Sequence, residues 1–160
     1  MCRFEDIEVG QRREIGSSTF TAEAIRKFAE RFDPQLFHLD EEEGRKSLFG
    51  GLAASGWHVG SACMRLIVED ADRLAEEAAI RFEEFAHWDV SPGFRELRWI
   101  KPVLAGDTIT FFREVLDKRL SMSPPALGSL QVRTTGINQR AEEVFTIRSN
   151  VSVSLHGTGG

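Results

Sequence analysis

Apolar residues recur at helical spacing over residues 22–32, where Ile25, Phe28, Ala29 and Phe32 fall three or four apart and make one stripe. Thr21 ahead of Glu23 is a plausible helix start. The helix should stop at Phe32, because Pro34 disfavours helical backbone at Asp33 and has no N–H to donate. Ahead of it, Ile15 and Phe20 alternate imperfectly with polar neighbours and predict a strand over about 11–20. Behind it, Asp40 can cap a short helix through Glu41, Glu42 and Glu43, which Gly44 should weaken. The Gly50-Gly51 pair then makes a flexible connection.

From about Ala54 to Ala79 the helical period returns through Val59, Ala62, Cys63, Leu66, Ile67, Leu74 and Ala75. Gly56, Gly60, Ser61 and Ala62 leave room for close packing on its first half. Its second half should carry Glu69, Asp70, Asp72, Arg73, Glu76 and Glu77 to solvent. Residues 80–94, with Phe82, Phe85, His87 and Trp88, read as an irregular cover segment ending at Ser91-Pro92-Gly93.

Beyond that point the period becomes two. Strands are expected over 94–100, 108–116, 130–135 and 144–153. They are separated by Pro102, by Ala105-Gly106-Asp107, by Pro124-Pro125 and by a turn at 138–142, and the tail from His156 should fray. One strand before the long helix and four antiparallel strands after it predict an α+β plan, a sheet wrapped on that helix.

With 160 residues, the chain fits one domain, 1–160, with a core over about 11–155. Its 41% hydrophobic and 28% charged residues fit an ordinary globular protein, and a net charge of −5 spread over both signs argues against a general nucleic-acid surface. Cys2 and Cys63 make neither a disulfide framework nor a metal-ligand spacing, and four scattered histidines make no metal site, so a reducing, cytoplasmic setting is expected. Glu5, Asp6 and Glu8 leave no signal-peptide segment at the start, and the apolar run Trp57–Val68 is broken by Arg65 and too short for a membrane span. Phosphate-binding glycine loops are absent, and Ser55-Gly56 is not a nucleophile elbow.

Asp33 and His38 remain as candidate chemistry. Five apart on a continuous helix they would point about 140° from each other. Pro34 breaks that helix, so both can converge on one water, one group accepting a proton and the other fixing or delivering one. On local chemistry alone, a turn-capping Asp33 and a satisfied, half-buried His38 are the better account. Gly56 opens the long helix, whose first N–H groups lack intrahelical partners and can hold a carbonyl oxygen gathering negative charge. A purely conformational role for this glycine is an equal alternative, and Ser55 can cap the helix under either. Leu36, Phe37 and Trp57 lie near enough in sequence to line an acyl pocket.

The segments Asp33-Pro34-Gln35-Leu36-Phe37-His38-Leu39-Asp40, Phe49-Gly50-Gly51-Leu52-Ala53-Ala54-Ser55-Gly56, Trp99-Ile100-Lys101-Pro102-Val103 and Gly106-Asp107-Thr108 resemble the MaoC-like dehydratases, the hotdog-fold family that includes R-specific enoyl-CoA hydratases. The resemblance runs from about residue 20 to 155. It implies a sheet wrapped on a central helix, a homodimer or dimer of dimers, and reversible addition of water across a trans-2-enoyl thioester of CoA. Asp33 would match the catalytic aspartate, His38 the histidine and Gly56 the backbone donor to the thioester carbonyl, which tips the balance toward a site. Here the proline stands directly after the aspartate, Gln35 replaces an asparagine and Ser55 replaces a frequent histidine. On this reading Asp33 takes the proton from water while His38 orients it and returns a proton to Cα. No metal or redox cofactor is needed. Arg95, Arg98 and Lys101 are candidates for the CoA phosphates. Two alternatives are a hotdog acyl-CoA thioesterase and a non-catalytic acyl-CoA-binding subunit with a vestigial dyad.

Overall fold

The computed structural model describes residues 7–77, 88–89, 93–121 and 127–154. Strand β1 (Arg12–Thr19) leads into helices α1 (Ala22–Phe32), α2 (Leu36–Leu39), α3 (Glu41–Lys46) and α4 (Gly56–Glu77). Five strands follow: β2 (Trp88–Asp89), β3 (Phe94–Trp99), β4 (Thr108–Ser121), β5 (Leu127–Asn138) and β6 (Glu143–Ser154). They form one antiparallel sheet in the order β1-β4-β5-β6-β2, with β3 also on β6. Since β5 occupies one edge of β6, β2 and β3 lie end to end along its other edge, at Val153–Ser152 and at Ser149–Phe145.

Helix α4 supplies the apolar spine against which the sheet packs, and this is the expected hotdog arrangement. Val59 and Cys63 of α4 meet Ile15, Ile109, Phe111, Val144 and Phe145 of the sheet, and Phe20 and Ile25 close one end of the same cluster. A smaller cluster, Leu130, Val132 and Val151, covers the far end of the long strands with Ile7 and Val115.

The departures from the sequence expectation have physical causes. The broken alternation in β1 is a bulge between Glu14 and Gly16: Ile15 turns into the core, and a Cβ on Gly16 (φ 137°) would sit 2.9 Å from Leu66 Cδ2. Gly44 does not end α3, which continues to Lys46. It is buried against the Gly51 backbone, where a Cβ would lie 2.6 Å from the carbonyl oxygen, so close packing outweighs poor helix propensity. Helix α2 falls where no element was predicted, four residues being too few to show a period. Strands β4 and β5 run past their predicted ends, because paired backbone continues where the alternation fades. Of the expected cover segment, Trp88–Asp89 is a strand and most of the rest lies outside the described residues, as do Pro124-Pro125 and the tail from His156.

Asp70 corrects the expectation of a fully solvated second half of α4. It is 2% exposed and accepts 2.6 Å hydrogen bonds from Arg13 Nη1 of β1 and Arg73 Nη2 one turn on, with Arg13 Nη2 also paired to its second oxygen. Gly60 has nothing within 4 Å of where its Cβ would be, so among the small residues of α4 the close approach is made at Gly56.

Candidate active site

The local sequence builds the site as Pro34 predicts. Thr21 caps α1, its hydroxyl accepting from Ala24 N–H at 3.1 Å, and the helix ends at Asp33, whose N–H still donates to Ala29 O at 2.9 Å. Pro34 cannot continue that pattern, so the chain turns and restarts as α2, which carries His38. Asp40 then caps α3, its carboxylate accepting from Glu42 and Glu43 N–H.

This brings Asp33 and His38 together. His38 is 4% exposed, its Nδ1 lies 2.7 Å from Ala53 O, and its Nε2 lies 3.4 Å from Asp33 Oδ2. A carbonyl oxygen only accepts, so Nδ1 carries a hydrogen and neutral His38 presents a lone pair at Nε2. Edge-on contact with Phe37 (4.5 Å between centroids) and stacking on Phe49 (6.3 Å) fix the ring plane. Asp33 Oδ1 accepts from Gln35 Nε2 and Oδ2 from Ser55 Oγ, both at 2.7 Å. Burial works against ionisation of Asp33, but the Ser55 hydroxyl, the Gln35 amide and the His38 ring outweigh it and hold its carboxyl below the usual aspartate value.

Both groups face a pocket of about 530 Å³ whose apolar walls include Phe37, Leu48, Phe49, Val59, Ile100, Val103 and Val144. Gly56, at the start of α4, lines it as well. The indole of Trp99 lies across that glycine: Nε1–H donates to Gly56 O at 2.8 Å, and a Cβ on Gly56 would fall 2.6 Å from Nε1 and 2.7 Å from Cδ2. Trp57 meets Trp99 edge-on at 5.3 Å.

Of the residues singled out in the sequence, Asp33, His38, Gly56, Phe37, Trp57 and Lys101 line the pocket. Ser55 is 1% exposed behind the wall and reaches the site through Asp33. Leu36 is 62% exposed and outside the lining, and Arg95 and Arg98 stand exposed on β3, also outside it. Lys101 Nζ is paired with Glu142 Oε1 at 2.6 Å. His58 faces away from the pocket lining, stacked on Phe28 at 4.7 Å with Phe20 edge-on at 5.0 Å. Sequence reasoning missed the Ala53 carbonyl, which no side chain announces, and Trp99, which approaches Gly56 from 43 residues away. Gln35 was visible as a substitution, and its amide is what fills the free side of Asp33. Among the described residues no group of histidine, cysteine or acidic side chains could hold a metal ion, and no helix is long and apolar enough to cross a membrane.

Fold and site together define a hotdog protein with a carboxylate–imidazole pair at the mouth of its central helix. The family model described as the MaoC like domain matches residues 6–126, and the chain belongs to that family. Over 145 residues it is 30% identical to the uncharacterized protein YdeM of Bacillus subtilis, covering 89% of this chain and 92% of that one. The fold matches a MaoC-like dehydratase from Rhodospirillum rubrum with a TM-score of 0.79, at 35% identity and with 98% and 99% of the two chains covered. An (R)-hydratase of A. caviae involved in PHA biosynthesis shares the fold with a TM-score of 0.61, at 22% identity and with 94% and 98% covered.

Proposed function

We propose that the chain is an acyl-CoA hydratase or dehydratase that adds water reversibly across a trans-2-enoyl thioester. The observation that carries this is the 3.4 Å gap between His38 Nε2 and Asp33 Oδ2, two acceptors facing one pocket beside a helix N-terminus. Two acceptors at that distance cannot bond each other, but a single water can donate one O–H to each, leaving its oxygen lone pair directed at a substrate carbon. The first N–H of α4, at Gly56, has no intrahelical acceptor and suits a thioester oxygen that gains negative charge.

In the hydration direction the water oxygen bonds Cβ, the C=C pair moves to Cα and the carbonyl oxygen, and the water's proton passes to the dyad and then to Cα. The sequence alone suggested Asp33 as the proton acceptor. Its two oxygens already take hydrogen bonds from Gln35 and Ser55, whereas Nε2 offers an unshared pair. The hydrogen bonds therefore favour His38 as the group that takes and returns the proton, with the Asp33 anion facing the imidazolium that forms.

Strand β3 pairs with β6 along one edge only, and Phe94, Trp99 and Ile100 are 44–55% exposed beside the half-exposed Trp57 and Met64 of α4. An unpaired edge with such a surface suits pairing with a second copy, giving a dimer. Sedimentation should then report twice the chain mass. Arg95 and Arg98 on β3 are the cations available to the CoA phosphates, since Lys101 is held by Glu142.

The test is to mix the protein with crotonyl-CoA and with longer and branched enoyl-CoAs and to follow loss of enoyl-thioester absorbance. Turnover is expected, with Asp33→Asn slower by about 10²–10⁴. If no thioester reacts, or if Asp33→Asn matches wild type, the proposal fails, and release of free thiol instead of hydration would make the protein a thioesterase. A vestigial dyad is disfavoured by a spacing that still fits one shared water.

A further inference from the structure

We propose that Ser55 is a positioning residue of the site: its hydroxyl ties the Asp33 carboxylate to the first turn of α4, so that the acid–base pair and the helix N-terminus are held as one unit. The catalytic half of this inference rests on the hydratase reading; the structural half does not.

A serine hydroxyl has one hydrogen to donate and lone pairs to accept with. Ser55 uses both. It donates to Asp33 Oδ2 at 2.7 Å, across 22 residues of sequence, and accepts from Trp57 N–H at 3.2 Å. Its own carbonyl takes the next two amides of the turn, His58 N–H at 2.9 Å and Val59 N–H at 3.1 Å. Ser55 thus engages three amides of the opening turn and leaves that of Gly56, the residue that lines the pocket. A serine that only capped the helix would spend its hydroxyl as an acceptor. This one also spends its hydrogen on a pocket-facing carboxylate from a position 1% exposed, where water does not compete.

The consequence is geometric. Asp33 Oδ2 is the oxygen that faces His38 Nε2, and Gln35 fixes the other oxygen, so the carboxylate can neither rotate away from the imidazole nor drift from α4. Alanine at 55 would free Oδ2 and orphan the Trp57 amide. The charged or titratable groups around Asp33 are His38 on α2 and, on the pocket wall beyond β3, Lys101, which is occupied by Glu142. Ser55 and Gln35 are therefore the donors that keep Asp33 ionised against its burial.

The experiment is a ¹³C-carboxyl NMR titration of Asp33, assigned with Asp33→Asn, in wild type and Ser55→Ala, together with kcat and KM on crotonyl-CoA across pH. In Ser55→Ala the Asp33 midpoint should rise, the acid limb of kcat/KM should move to higher pH with it, and kcat near neutrality should fall about 10- to 100-fold with little change in KM. A folded Ser55→Ala whose Asp33 titrates as in wild type overturns the inference, as does a loss of kcat no greater than the loss of folded protein. Should Ser55→Ala fail to fold, Ser55→Cys keeps the shape with a weaker donor and carries the same readout. A wild-type Asp33 that titrates at or above the ordinary aspartate value overturns it without any variant. If wild type turns over no enoyl thioester, the hydratase reading falls, while the titration still decides whether Ser55 holds the carboxylate.

Discussion

Gly56→Ala separates two roles that one glycine plays. A methyl there would lie 2.6–2.7 Å from Trp99 Nε1 and Cδ2, well inside the ~3.5–4.0 Å of ordinary carbon contact, so the indole must retreat by about 1 Å. Trp99 is 44% exposed and can swing outward, but it then loses its hydrogen bond to Gly56 O, a net of about 1 kcal/mol, together with part of its packing. Overpacking of this kind costs about 1–3 kcal/mol, and alanine recovers at most ~1 kcal/mol of helix propensity. The balance is a loss of about 2 kcal/mol, or about 4–8 °C in Tm for a chain of this size. Turnover of crotonyl-CoA should fall about 10²–10³-fold, as when one oxyanion donor is removed, because the methyl also stands where the thioester oxygen approaches. Calorimetry and the absorbance assay on both single variants and on Gly56→Ala with Trp99→Ala complete a double-mutant cycle. In the Trp99→Ala background the added methyl should cost no stability, yet activity should stay low. Wild-type stability in the single variant would refute the contact with Trp99. Full recovery of activity in the double variant would show that the glycine serves Trp99 and not the substrate.

Two further outcomes follow from charges outside the site. Arg13 and Arg113 stand opposite each other on β1 and β4, and Asp70 is the carboxylate that Arg13 and Arg73 share. Asp70→Asn should lower stability by about 1–3 kcal/mol, less than for a wholly buried pair because Arg13 and Arg73 side chains are 32% and 55% exposed; an unchanged denaturant midpoint would refute that role. Burial lowers the pKa of His58, so its native form binds fewer protons than the unfolded chain, and the stability this contributes is full above its unfolded value of about 6.5 and is lost as pH falls below it. His58→Gln should flatten the fall in Tm between pH 7.5 and pH 5, and an equally steep fall in the variant would show that other groups set it.

The sequence by itself determined the elements and the break between them. The stripe of Ile25, Phe28, Ala29 and Phe32, the stop at Pro34 and the period-two strands after residue 94 are local facts of propensity and spacing, and they placed Asp33, His38 and Gly56 near one another. What the tertiary structure alone decided is what each of those residues touches. The buried Asp70 looked solvated because its partner Arg13 lies 57 residues away, and the bulge at Gly16 shows only against Leu66 of α4. Ser55, taken from sequence as a helix cap, became the link between helix and carboxylate, and Trp99, read as a strand residue, became the lid on Gly56. Periodicity reports which way a side chain faces on its own element. Which side chain of another element meets it depends on how the elements pack, and no single element's pattern contains that.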